Sequence, residues 1–267
     1  MGADIKSLRS RIRSVDSTLH LTKAMGLVAA SKIRRATRTM NQSREYSSAM
    51  DDVVSVLSSS PECARTPYMQ PRGEGTRLIV IAGDRGLAGG YNANVFRLAS
   101  TVENAEVIPI GKRACERWGK PVISSEKYPA TEAAKLAEEL CRDFQDGKFG
   151  KLGILYTRYR SMMSQEATLL WVLPLEKNED KGEDAAPVFE PDEQTVLNAA
   201  VPTYVSGLIA ACVRESYACE VAARRMAMDS AGKNAQEMID KLQLQYNRAR
   251  QSSITQEITE IVAGSGL

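Results

Sequence analysis

From Ile5 onward, apolar and small residues recur at alternating spacings of three and four. They run through Ile5, Leu8, Ile12, Val15 and Leu19, then Thr22, Gly26, Ala29, Ile33, Ala36 and Met40, then Ser43, Ser47, Met50, Val54 and Leu57. A stripe this narrow is the seam of a coiled-coil helix, not the broader apolar face of a helix inside a globular domain. A helix over 5–57 spans roughly 80 Å at 1.5 Å per residue. The other end of the chain repeats the theme. Between 203 and 263 there is no proline, and glycine occurs only at Gly207 and Gly232. The apolar positions run from Val205, Leu208 and Cys212 to Met226, then shift phase at Met228 and continue through Ala235, Ile239 and Leu242. Such a slip changes which face meets a partner helix. Ile254, Ile258, Ile261 and Val262 form a further apolar patch that the first helix has no equivalent run left to cover.

All ten prolines fall between Pro61 and Pro202. A proline inside a helix costs about 3 kcal/mol, so the pattern predicts two long rods joined through a compact centre. The expected division is an N-terminal helix over 1–60, a central domain over 76–192 and a C-terminal helix over 193–267. In the centre, strands are predicted at 77–82, 106–110, 153–159 and 167–173, with helices at 112–119 and 131–146. Alternating strands and helices of this length make a small, partly parallel α/β sheet. The acidic stretch EKNEDKGEDAAPVFEPDE reads as an exposed loop.

The seam is weakly filled in its middle, where Thr22, Gly26, Ala29 and Ala36 bury little. Close approach of two helix backbones is one reason for small residues there; compliance is another.

Composition narrows the function. The chain has 267 residues, 43% hydrophobic and 25% charged, with a net charge of +2. It is expected to fold as a soluble protein without a secretory leader or an 18-residue apolar run. The five cysteines form no C-x-x-C pair and suit a reduced compartment. The first rod is basic: ten Lys and Arg residues, from Lys6 to Arg44, stand against Asp4, Asp16 and Glu45. With Tyr46 its only aromatic residue, it suits an acidic protein partner better than nucleic acid. A basic coiled-coil protein associated with nucleic acid is the alternative.

Catalytic chemistry finds little support. His20 is the only histidine and lies on the first rod, far from the glycine-rich turn GDRGLAGGYNANV. That turn follows a strand and opens a helix, as phosphate-binding turns do. Its spacing matches neither G-x-G-x-x-G nor the P-loop, so a tight structural turn or docking surface is the better reading than a dinucleotide enzyme.

Three segments, LTKAMGLVAASKIRRA, GDRGLAGGYNANV and YNRARQSSITQEITEIVAG, together resemble the gamma subunit family of F-type ATP synthase, and the resemblance covers essentially the whole chain. It implies an antiparallel coiled coil of the terminal helices with a central Rossmann-like α/β domain, acting as the rotor shaft and carrying no cofactor or catalytic residue. The implied partners are the alpha and beta subunits of the catalytic ring, the epsilon subunit and the c-ring of the membrane sector. The implied location is peripheral, on the cytoplasmic face of the bacterial plasma membrane, without transmembrane insertion. By motif position, the implied contacts with beta subunits are Lys23, Met25, Arg34 and Arg35 from the first segment, and Arg250, Gln251, Thr255 and Glu257 from the last. Gly26 and Gly232-Lys233 depart from the family pattern, which bears on local stiffness. The dithiol segment of chloroplast relatives is missing, and the central region is short.

Overall fold

The structure, a computed structural model, describes residues 2–177, 189–264 and 266. Most of the acidic loop thus lies outside the described residues. The elements in chain order are α1 (Gly2–Ser59), β1 (Thr76–Ile81), α2 (Tyr91–Ala99), β2 (Ala105–Ile110), α3 (Lys112–Trp118), α4 (Ala130–Gln145), β3 (Lys151–Tyr159), β4 (Gln165–Leu173) and α5 (Glu193–Gly264). The predicted strands and helices of the centre are all present, with ends shifted by at most two residues. The chain divides into two compact units, one of Met1–Ala30 with Arg224–Leu267 and the other of Ser31–Ala223.

In the first unit α1 and α5 run antiparallel. Val15 and Leu19 pack with Ala235 and Ile239, while Gly26 lies beside Arg225 and Met228. Positions along the predicted seam, from Ile5 to Gly26, are buried or half-buried, whereas their neighbours Lys6, Arg9, Arg13 and Lys23 are exposed. Close approach does not require the glycine at 26. A Cβ there would lie 3.6 Å from Met228 Cβ and from Arg225 Nη1, an ordinary contact. At Gly232 the nearest atom would be Thr22 Oγ1, also at 3.6 Å. Each glycine therefore leaves its helix less rigid without a steric reason.

The second unit is built on a four-stranded sheet of order β2-β1-β3-β4. β1 pairs in parallel with β2 and β3, and β4 runs antiparallel to β3. β1 is apolar from Leu78 to Ile81, where it is covered on both faces. Ile79 and Ile81 face one core, with α4, the end of α1 and the first part of α5; Leu78 and Val80 face the other, with α2 and α3. The α1–α5 pair is antiparallel here too: Met40 and Ala36 meet Ala218, and Tyr204 Oη donates to Asp51 Oδ1 at 3.1 Å.

α5 starts at Glu193, at the start expected for the C-terminal helix, and Pro202 lies inside it. Asp192 opens the helix, accepting hydrogen bonds from Thr195 N and Thr195 Oγ1. Leu197, Val201, Val205 and Ile209 are fully buried along one continuous face. At roughly 1.5–3 kcal/mol for each such side chain, their burial outweighs the proline's cost. By length and composition α5 is apolar enough to cross a bilayer; its Leu197–Ile209 face is packed in the core of the second unit.

Candidate functional site

The residues implied as partner contacts fall at separate places. In the first unit, Lys23 is exposed and Met25 half-buried. Lys23 lines a groove of about 510 Å³ with Leu27, Arg225, Met228 and Lys233. The small residues Thr22, Gly26 and Gly232 form its floor, and Arg225 Nη1 donates to Gly26 O at 2.9 Å. Arg250, Gln251, Thr255 and Glu257 are all exposed on α5. Arg250 lies seventeen residues past Lys233, about 25 Å along the helix at 1.5 Å per residue, so this second cluster is a separate station. Beside it Ile254, Ile258, Ile261 and Val262 are 45–70% exposed. Arg34 and Arg35 are exposed on the part of α1 that belongs to the second unit.

The densest polar constellation is one that the sequence did not flag. In a parallel sheet, ligands bind beyond the carboxyl ends of the strands, where the connections diverge to opposite sides. Here that point lies between β1 and β3, and α5 fills it. Glu215 Oε1 accepts from Tyr159 N at 2.7 Å and from Arg44 Nη2 at 2.5 Å, and Arg44 Nη2 also donates to Tyr159 O at 3.1 Å. Ser216 Oγ accepts from Thr157 N at 3.1 Å, and Ser216 O accepts from Tyr91 Oη at 2.9 Å. Glu220 accepts from Asp84 N at 3.3 Å and Arg85 N at 3.4 Å. The glycine turn is thus a docking surface for the chain's own helix.

Asp84 organises the turn from within. Its carboxylate accepts from Lys112 N (3.1 Å), Ser125 N (2.9 Å), Glu126 N (3.2 Å) and Ser124 Oγ (2.5 Å). Burial opposes its ionisation, but those donors outweigh burial and hold its pKa below the usual carboxylate range. Glu126 then bridges both long helices, accepting from Lys32 Nζ at 2.6 Å and Tyr217 Oη at 3.0 Å. The Lys32 hydrogen bond is the main reason its pKa is lowered. Hydrogen bonding to Glu215 likewise raises the Arg44 pKa despite partial burial. A signal for this clasp was present in the sequence: Glu215 and Glu220 stand, with Arg214, in a stretch of α5 that is mostly small and apolar, where a carboxylate needs a partner.

Among the described residues no group of three or more His, Cys, Asp or Glu could hold a metal ion. The only histidine, His20, is exposed on α1. In the second unit the crevice where a parallel sheet commonly takes a ligand is thus filled by the chain's own helix, and in the first unit the antiparallel helices expose basic side chains. A family model described as ATP synthase matches residues 4–266. The chain is 38% identical over 281 residues to the ATP synthase gamma chain of Ruminococcus albus, covering 98% of each protein. It is also 38% identical over 284 residues to that of Geotalea daltonii, again covering 98% of each. The fold is similar to a chain in the cryo-EM structure of Euglena gracilis mitochondrial ATP synthase (OSCP/F1/c-ring), with a TM-score of 0.70, 18% identity, and coverage of 99% of this chain and 94% of that one. The chain belongs to the ATP synthase gamma chain family. Its role is that of the rotor shaft of an F-type ATP synthase, and it is not one of the catalytic subunits.

Proposed function

We propose that the two exposed stations of the first unit are where this shaft meets the catalytic subunits. Lys23 and Met25 form one, and Arg250, Gln251, Thr255 and Glu257 the other; Arg34 and Arg35 add positive charge where α1 enters the second unit. Acidic loops of the beta subunits suit Lys23 and the arginines, which can donate charge-assisted hydrogen bonds. The exposed Ile254, Ile258 and Ile261 suit an apolar bearing in the ring of alpha and beta subunits. The body and the adjoining helices rest on the c-ring with the epsilon subunit, peripheral to the cytoplasmic face of a bacterial plasma membrane. On this reading the working parts are the helices at 1–60 and 193–267 and the body at 76–192.

The mechanism follows from symmetry. Chemically identical catalytic sites differ only if something asymmetric touches them differently, and a contact shifts a conformational equilibrium only by its differential interaction with the two states. A shaft with one Lys23 and one Arg250 presents these groups to one beta subunit at a time. Turning it by ion flow changes nucleotide affinity at each site in sequence, and hydrolysis drives the reverse turn. The observation that carries this reading is the near full-length family match together with the exposure of Lys23 and Arg250 on paired helices. The test is purification through a tag on this chain. Three alpha and three beta copies per tag are expected; recovery of the chain without them overturns the reading.

A further inference from the structure

The crevice at the carboxyl ends of β1 and β3 is where a sheet of this strand order holds a phosphate, and in this chain a carboxylate occupies it. We propose that Glu220 is the built-in anion of that crevice, a positioning residue that fixes the body to α5. Its functional consequence rests on the shaft reading above; its geometry does not.

Four observations carry the inference. Glu220 is 2% exposed although it is a carboxylate. Two successive backbone donors, Asp84 N and Arg85 N, point at its two oxygens, as donors of a phosphate-binding turn do. Asp84 is itself held by four donors, none of them from α5, so the turn has supports of its own besides Glu220. A Cβ on Gly83 would lie 2.7 Å from Glu220 Cδ, so the glycine is what admits the carboxylate.

The body is already packed on the Leu197–Ile209 face of α5, and Glu215 and Ser216 hold the end of β3 through Tyr159 N and Thr157 N. Glu220 adds an anchor at the end of β1, and neighbouring strands are about 5 Å apart. Anchors at the ends of two strands stiffen the join through which torque on α5 reaches the body.

The test compares the full-length wild-type chain with Glu220→Ala and Glu220→Gln by hydrogen exchange at the Asp84 and Arg85 amides. Glu220→Ala is expected to speed exchange there roughly tenfold, and sodium acetate to restore protection where sodium chloride at equal ionic strength does not. Glu220→Gln, which keeps the shape and one acceptor oxygen, is expected to fall between. In assembled complexes, ATP-driven ion pumping per ATP hydrolysed should drop severalfold in Glu220→Ala and recover partly with acetate. Unchanged exchange in Glu220→Ala, or lost protection that acetate does not restore, overturns the proposal. Failure of the wild-type chain to assemble would instead sink the shaft reading, and the exchange experiment would still decide the role of Glu220.

Discussion

Adding one methyl group at Gly83 tests the contact between turn and helix most sharply. The new Cβ would sit 2.7 Å from Glu220 Cδ and 3.0 Å from Oε2, about 1 Å inside an ordinary carbon contact. Glu220 is buried, so it has no open space to swing into. Overpacking of this kind costs about 2 kcal/mol. Glu220→Ala alone removes two charge-assisted hydrogen bonds that are long, at 3.3 and 3.4 Å, and costs about 1.5 kcal/mol. In the double variant the methyl group occupies space the carboxylate has left. The pair is therefore expected to cost about 2 kcal/mol together, a coupling of roughly 1.5 kcal/mol. The assay is urea unfolding followed by tryptophan fluorescence. Trp118 and Trp171 are the only tryptophans and both lie in the second unit, so the signal reports the unit that contains the contact. Additivity within about 0.4 kcal/mol would refute the reasoning.

Arg44→Met leaves the buried Glu215 with its Tyr159 N donor but without its cation. Because Arg44 is itself 41% exposed, the loss should sit below the usual range for broken buried pairs, at about 2 kcal/mol in the same unfolding assay. Gly26→Ala and Gly232→Ala are each expected to stabilise the helix pair by about 0.5–1 kcal/mol, since the added methyl groups meet only ordinary contacts; thermal melts followed by circular dichroism would show it. Asp84 and Glu126 have folded pKa values below their unfolded ones, so their contribution is full above the unfolded range near pH 4 and is lost as pH falls through the lowered values. Acid titration of unfolding should show stability dropping below that range, and less steeply in Asp84→Asn. Arg250→Ala with Gln251→Ala should lower ATP turnover of assembled complexes severalfold without changing the amount of complex recovered.

The parts legible in the sequence are those governed by local periodicity. The α1 seam could be read from Ile5 to Leu57 because spacing alone decides which side of a helix is buried. β1 and β3 could be read because the stretches covered on both faces, Leu78–Ile81 and Leu152–Tyr156, are runs without a charged residue. Pro202 carries a local cost that the sequence shows, but the face from Leu197 to Ile209 that overrides it is buried against β1, β3 and β4, which lie elsewhere in the chain. The clasp of Glu215, Ser216 and Glu220 was hidden for the same reason, since its partners lie at Arg44, Asp84 and Tyr159. Gly26 looked like a close-approach glycine, and only the distances around its missing Cβ show that an alanine would fit.

The central claim is that this chain turns within a ring of catalytic subunits and carries torque. All five native cysteines are buried, so Lys120→Cys on the exposed surface of the body offers a single accessible thiol for a bead or gold particle. With the alpha and beta ring fixed to glass and ATP supplied, the account predicts one-directional rotation with three evenly spaced pauses per turn, one for each catalytic site. ATP hydrolysis at the normal rate with the particle stationary would contradict it.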